Sequence, residues 1–87
     1  MKWSVRLAES ARADLRELPE RTRLQVFKRI ANLEEDPFPR GYKKLSTPSD
    51  LYRIRAGDYR IVYSVNRQTH VVDVIRARHR KDVYRGL

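Results

Sequence analysis

Eighty-seven residues without a cysteine make one small domain, residues 1–87, with no disulfide staple and no thiolate-held zinc or iron–sulfur centre. Twenty Lys and Arg against eleven Asp and Glu leave a net charge of +9. No apolar run is long enough for a bilayer span or a signal peptide, so a soluble, cytoplasmic protein with no membrane role is expected.

Lys2 to Leu7 alternates polar and apolar residues, which predicts a half-buried strand with Trp3, Val5 and Leu7 facing in. Trp3 reads as core rather than as a base-stacking platform. A helix follows over about residues 9–18, because Ala8, Ala11, Leu15 and Leu18 recur on one helical stripe. Pro19 ends it and suits the first turn of the next helix, which runs to about residue 35. Leu24, Phe27, Ile30 and Ala31 are expected to line the inner face of this second helix, with Val26 and Leu33 widening it. The short turn makes the two helices antiparallel neighbours. Asp36-Pro37-Phe38-Pro39 stops the second one, and residues 40–50 read as a loop made basic by Lys43 and Lys44. Three strands come next, at 51–56, 59–65 and about 70–77, spaced too closely for anything but an antiparallel meander. Residues 79–87 are expected to form a turn or short helix packed on the sheet. The fold class is α+β.

The charge is unevenly placed. Residues 1–39 carry eight basic and seven acidic side chains, whereas residues 40–87 carry twelve basic and four acidic ones, a net +8. Fifteen of the twenty basic residues are arginine, the side chain best shaped for bidentate phosphate contact. A polyanion-binding face is expected, nucleic acid first.

Gly57-Asp58 is a good two-residue hairpin loop. It sets Ala56 opposite Tyr59, Ile54 opposite Ile61 and Tyr52 opposite Tyr63, all on one face. The other face then receives Arg55 opposite Arg60 and Arg53 opposite Val62. Three guanidinium groups would share a patch of exposed sheet, although like charges directly opposed destabilise it. An anion site explains that arrangement better than a merely solvated face. Arg76, Arg78, Arg80, Lys81 and Arg85 follow within ten residues, with His79 and Tyr84 among them, as a candidate cleft wall. His79 can titrate near neutrality and Tyr84 can stack on a base. His70 and His79 fit no usual zinc spacing, and no metal or other cofactor is expected.

The string Leu51-Tyr52-Arg53-Ile54-Arg55-Ala56-Gly57-Asp58-Tyr59-Arg60-Ile61-Val62-Tyr63 resembles the central signature of the RelE/ParE toxin superfamily. The ending His79-Arg80-Lys81-Asp82-Val83-Tyr84 is similar to the tail of its RelE-like members, so the likeness covers nearly the whole chain. It implies the toxin of a type II toxin–antitoxin module, silenced by a RelB-like acidic antitoxin in a hetero-oligomer. It implies a metal-independent endoribonuclease that enters the ribosomal A site, cuts messenger RNA there and so inhibits translation. In that chemistry the 2′-hydroxyl attacks its own adjacent phosphate. The family's active positions fall on Arg53, Arg55, Arg60, Arg78 and Tyr84. Arg60 is expected to grip the scissile phosphate with Arg53 and Arg55 assisting. Arg78 would neutralise the leaving oxygen or donate to it, and Tyr84 would stack on a base. Lys43, Lys44, Arg76, Arg80 and Lys81 are expected to bind RNA phosphates.

The chain departs from family members that carry lysine where Arg53 and Arg55 stand, and arginine does not give up its proton. His79 is the first substitute for a general base, Asp82 a weaker one, and the ribosome a third source. On this reading His79→Ala slows cutting more than Asp82→Ala. Two other readings share the fold or the charge: a ParE-like inhibitor of DNA gyrase, and an RNA- or ribosome-binding module without catalysis.

Overall fold

The opening alternation becomes strand β1 (Ser4–Leu7) in the computed structural model, which describes residues 2–87. Helices α1 (Glu9–Arg16) and α2 (Glu20–Asn32) follow. Strands β2 (Lys43–Lys44), β3 (Leu51–Ala56), β4 (Tyr59–Asn66) and β5 (Val71–His79) complete the chain's regular structure. The five strands form one sheet in the order β1-β5-β4-β3-β2. Strand β1 lies parallel to β5, and the other pairs are antiparallel.

The hairpin register follows the alternation of side chains. Tyr52 pairs with Tyr63, Ile54 with Ile61, Arg55 with Arg60 and Ala56 with Tyr59. Gly57 takes a φ of +61°, which only glycine adopts cheaply, so the loop closes in two residues. The helices pack on the inner face of the sheet. Ala11, Leu15, Leu18, Val26, Ile30 and Leu33 meet Ile54, Ile61, Tyr63, Val72, Val74 and Ala77 there. Each fully buried large aliphatic side chain in this layer contributes roughly 1.5–3 kcal/mol.

Four expectations change. First, α2 turns a different face inward: Val26, Ile30 and Leu33 are buried, whereas Leu24 is 60% exposed, Phe27 42% exposed and Ala31 also exposed. Two apolar stripes overlap on this helix at Ile30, and only one can meet a flat sheet. Tyr63 helps to select it, because its hydroxyl donates to the Pro37 carbonyl at 2.5 Å and pins the end of the helix over the core. Secondly, the 40–50 segment is not all loop, since Lys43 pairs with Arg53 and Lys44 with Tyr52 as a short edge strand. Thirdly, β5 runs on to His79, and Ile75 is an extra residue between the Val62–Arg76 and Tyr63–Val74 pairs. That bulge puts Ile75 and Arg76 on the same side of the sheet.

The fourth change concerns the outer face, where three guanidinium groups were expected to lie exposed. The C-terminal segment 80–87 folds across it in turns, and Val83 is fully buried there with Leu51 and Val62, flanked by Leu45 and Ile75. Arg76 fastens the segment by donating through Nη1 to the Val83 carbonyl at 2.8 Å and to the Arg85 carbonyl.

Candidate active site

Strands β3, β4 and β5 lay the arginines out in two rows on the outer face. Arg55, Arg60 and Arg78 are successive partners across the three strands, and Arg53, Val62 and Arg76 form the next row. Lys43 extends this second row from the edge strand. Period-two alternation fixes all of these on one side, which is why one hairpin can concentrate so much charge.

The rows are not equally accessible. Arg53 is only 5% exposed, and its Nη1 donates to the Gly41 carbonyl at 3.4 Å. The expected patch of three exposed guanidiniums is therefore a pair, Arg55 and Arg60, with Arg53 beneath. Arg60 folds over the hairpin loop and donates through Nη1 to the Gly57 carbonyl at 2.8 Å and the Tyr59 carbonyl at 3.0 Å. Burial, then the neighbouring Arg55 and Arg53 charges, push its pKa below the usual arginine value; Arg80 adds to this and Tyr84 opposes it. Crowded, partly desolvated cations of this kind gain most from an anion placed among them.

Tyr84, 44% exposed, reaches this side from the C-terminal segment and helps line a 320 Å³ recess with Leu45, Ser46, Thr47 and Leu87. Arg80 is exposed beside the hairpin loop: its amide donates to the Asp58 carbonyl at 2.8 Å, and its Nε lies 3.9 Å from Asp58 Oδ1. Lys81 is exposed, and Lys44 is engaged with Asp50 at 3.3 Å on the edge strand. Arg76 uses its Nη1 to hold the carbonyls of the C-terminal segment.

His79 faces away from Arg55 and Arg60. Its strand partner is Tyr59, one position beyond the Arg60–Arg78 pair, so its side chain falls on the inner face. The imidazole packs edge-on to Tyr59 with ring centroids 5.5 Å apart, and its Nδ1 accepts the Lys81 amide at 3.2 Å. Asp82 borders the same cleft as His79, together with Asp14, Glu17 and Arg78. Of the two proposed substitutes for a general base, His79 thus faces the inner side of the sheet, and Asp82 borders the cleft that Arg78 also lines.

Arg78 is opposite Arg60 in the ladder, yet its Nε donates to both carboxylate oxygens of Asp14 at 3.0 and 3.1 Å. The sequence reading missed Asp14. Its signal was faint: Ser10 and Asp14 stand four apart on α1 at the border of the buried Ala11–Leu15 stripe, where both can reach a strand edge. Among the described residues, no three His, Asp or Glu side chains converge as a set of metal ligands.

Comparison with known proteins adds an independent line. The profile of the family described as ParE toxin of type II toxin-antitoxin system, parDE, matches residues 5–84. Toxin RelG of Mycobacterium tuberculosis is 30% identical over 86 residues, covering 98% of this chain and 99% of that protein. A putative toxin RelE1 of Methanocaldococcus jannaschii is 28% identical over 90 residues, covering 99% of each. Among solved structures, the RelE–RelB complex of Pyrococcus horikoshii superposes with a TM-score of 0.80 at 32% identity, covering 95% of this chain and 100% of that one. The isolated Escherichia coli RelE toxin gives 0.74 at 29% identity, covering 88% and 83%. The profile carries the ParE description, whereas these relatives are named RelG, RelE1 and RelE.

Proposed function

The chain belongs to the RelE/ParE superfamily of toxins from type II toxin–antitoxin modules, and on that footing we propose that it is a ribosome-dependent endoribonuclease that cuts messenger RNA in the A site. The observation that carries this reading is the directly opposed pair Arg55 and Arg60, backed by Arg53 and flanked by Tyr84. Like charges forced together at one point gain most from an anion placed among them, and the gain grows as a phosphate's charge rises in the transition state. The RelE naming of the full-length relatives favours cutting over gyrase inhibition.

In the proposed reaction the 2′-oxygen bonds to the adjacent phosphorus and the bond to the 5′-oxygen of the next nucleotide breaks. A cyclic phosphate and a free 5′-hydroxyl result. Arg60 and Arg55 hold the non-bridging oxygens, whose charge grows in the transition state. Arg78 stabilises the departing 5′-oxygen by donating hydrogen bonds to it, and solvent supplies the proton. Tyr84 stacks on a flanking base and keeps the nucleotides splayed for in-line attack. The nucleophile belongs to the RNA, so the chain needs no serine or cysteine. The 2′-hydroxyl proton goes to an acceptor outside this chain, within the ribosome, since His79 faces the inner side of the sheet, away from Arg55 and Arg60, and Asp82 borders the cleft beside Asp14 and Arg78.

A partner follows from the same charge. The +8 half of the chain calls for an acidic antitoxin, ordered as it binds, in a toxin–antitoxin hetero-oligomer. The deciding experiment uses ribosomes with a defined messenger, a filled P site and an empty A site, with a chelator present. Primer extension should map a cut within the A-site codon that Arg60→Ala abolishes. Intact messenger with folded protein would reject the reading.

A further inference from the structure

Strand β1 ends at Leu7, opposite Val74, and leaves the rest of the β5 edge without a strand partner. Helix α1 takes over there with two side chains four residues apart. Ser10 Oγ donates to the Ile75 carbonyl at 2.6 Å, and Asp14 Oδ2 accepts the Ala77 amide at 3.1 Å. The Asp14 carboxylate is therefore located by the main chain of β5, whatever Arg78 does. From that fixed point it accepts the Arg78 Nε–H on both oxygens.

We propose that Asp14 is a positioning residue for RNA cutting, holding Arg78 by Nε so that its two Nη groups are presented to the substrate's phosphate. The proposal rests on the ribonuclease reading and on the place of Arg78 within it. A guanidinium can meet a phosphate through its Nη1–Nη2 edge or through an edge that includes Nε. Occupying Nε leaves the first. Among the described residues no acceptor takes the Nη donors of Arg78, whose side chain is 36% exposed against 13% for Asp14. The carboxylate is thus shielded from RNA by the cation it holds. The tether also removes rotamer freedom that a loose arginine would lose at every encounter.

The test is a double-mutant cycle in single-turnover cutting on programmed ribosomes. Asp14→Ala is expected to lower the maximal rate about tenfold or more, with little change in the half-saturating toxin concentration. Arg78→Ala should be at least as slow. The double variant should be no slower than Arg78→Ala alone, because nothing remains to be positioned. Asp14→Glu should recover part of the rate. Ser10→Ala, which loosens the same strand edge without touching Arg78, should cut like the parent. Additive losses, or an Asp14→Ala that cuts at or above the parent rate, would overturn the proposal. Should Asp14→Ala fail to fold, Asp14→Asn retains an acceptor for the Ala77 amide and takes its place in the cycle. A parent chain that leaves the messenger intact would sink the ribonuclease reading instead. The cycle is then read on anisotropy of a short fluorescent single-stranded RNA, where absence of the same non-additivity overturns the role of Asp14.

Discussion

The side chains of Arg60 and His79 occupy opposite faces of the sheet. Arg60 is the strand partner of Arg78, and His79, one residue further on, is carried to the helix side against Tyr59. Losing a general base costs about 10²–10⁴-fold in rate. His79→Ala and Asp82→Ala are each expected to stay within about threefold of the parent, far short of that loss. Neither should change the shape of the pH–rate profile. Rate measurements between pH 5.5 and about 8.5 decide this. A hundredfold loss in folded His79→Ala would return the imidazole to the site.

Arg53 and Arg55 differ by two positions on one strand face but should behave differently on truncation. Arg53→Ala removes a buried stem and the donor to the Gly41 carbonyl, and should cost about 1–3 kcal/mol in urea unfolding. Arg55→Ala relieves the charge opposite Arg60 and should change stability by less than about 0.5 kcal/mol. Both should impair cutting. Equal stability losses would mean that Arg53 is not the covered member of the pair.

The C-terminal cover depends on one apolar anchor and one arginine. Val83→Ala should cost about 1–2 kcal/mol by leaving space between Leu51 and Val62. Arg76→Ala frees the Val83 and Arg85 carbonyls. In both variants trypsin should cleave after Arg80 and Lys81 at concentrations that leave the parent intact. Unchanged digestion would show the segment to be held by other contacts.

Tyr63 predicts an alkaline limit to stability. Burial, and secondarily Asp36, pushes its pKa above the ordinary value of 10.0. The folded state therefore binds the phenolic proton more tightly than the unfolded chain does. The resulting stability is complete below about pH 10 and falls as pH rises beyond it, because only the unfolded chain ionises there. Tyr63→Phe should flatten this decline. It should also cost about 1 kcal/mol at neutral pH, since the Pro37 carbonyl loses its donor. Urea titrations at pH 8 and pH 10.5 or so make the comparison.

Much of the site was legible wherever a local rule sufficed. A two-residue Gly57-Asp58 loop and strict alternation set the β3–β4 register, and with it the opposition of Arg55 and Arg60. The same rule failed one strand later. The length of the turn before β5 and the extra residue Ile75 decide which side Arg76, Arg78 and His79 take. Neither is written in a pattern of period two. The face of α2 was misread for a related reason, because Leu24-Phe27-Ile30 and Val26-Ile30-Leu33 are both acceptable helical stripes.

By itself, the sequence determined an α+β chain with its positive charge gathered on a three-strand meander, and a pair of arginines forced together by a short hairpin. These follow from interactions between near neighbours along the chain. Only the tertiary structure decided that Arg53 is covered, that Arg76 is a fastener, that His79 is behind the sheet and that Asp14 holds Arg78. Asp14 and Arg78 stand 64 residues apart. A contact of that kind exists only after β1 has paired with β5 and brought α1 to the open part of its edge.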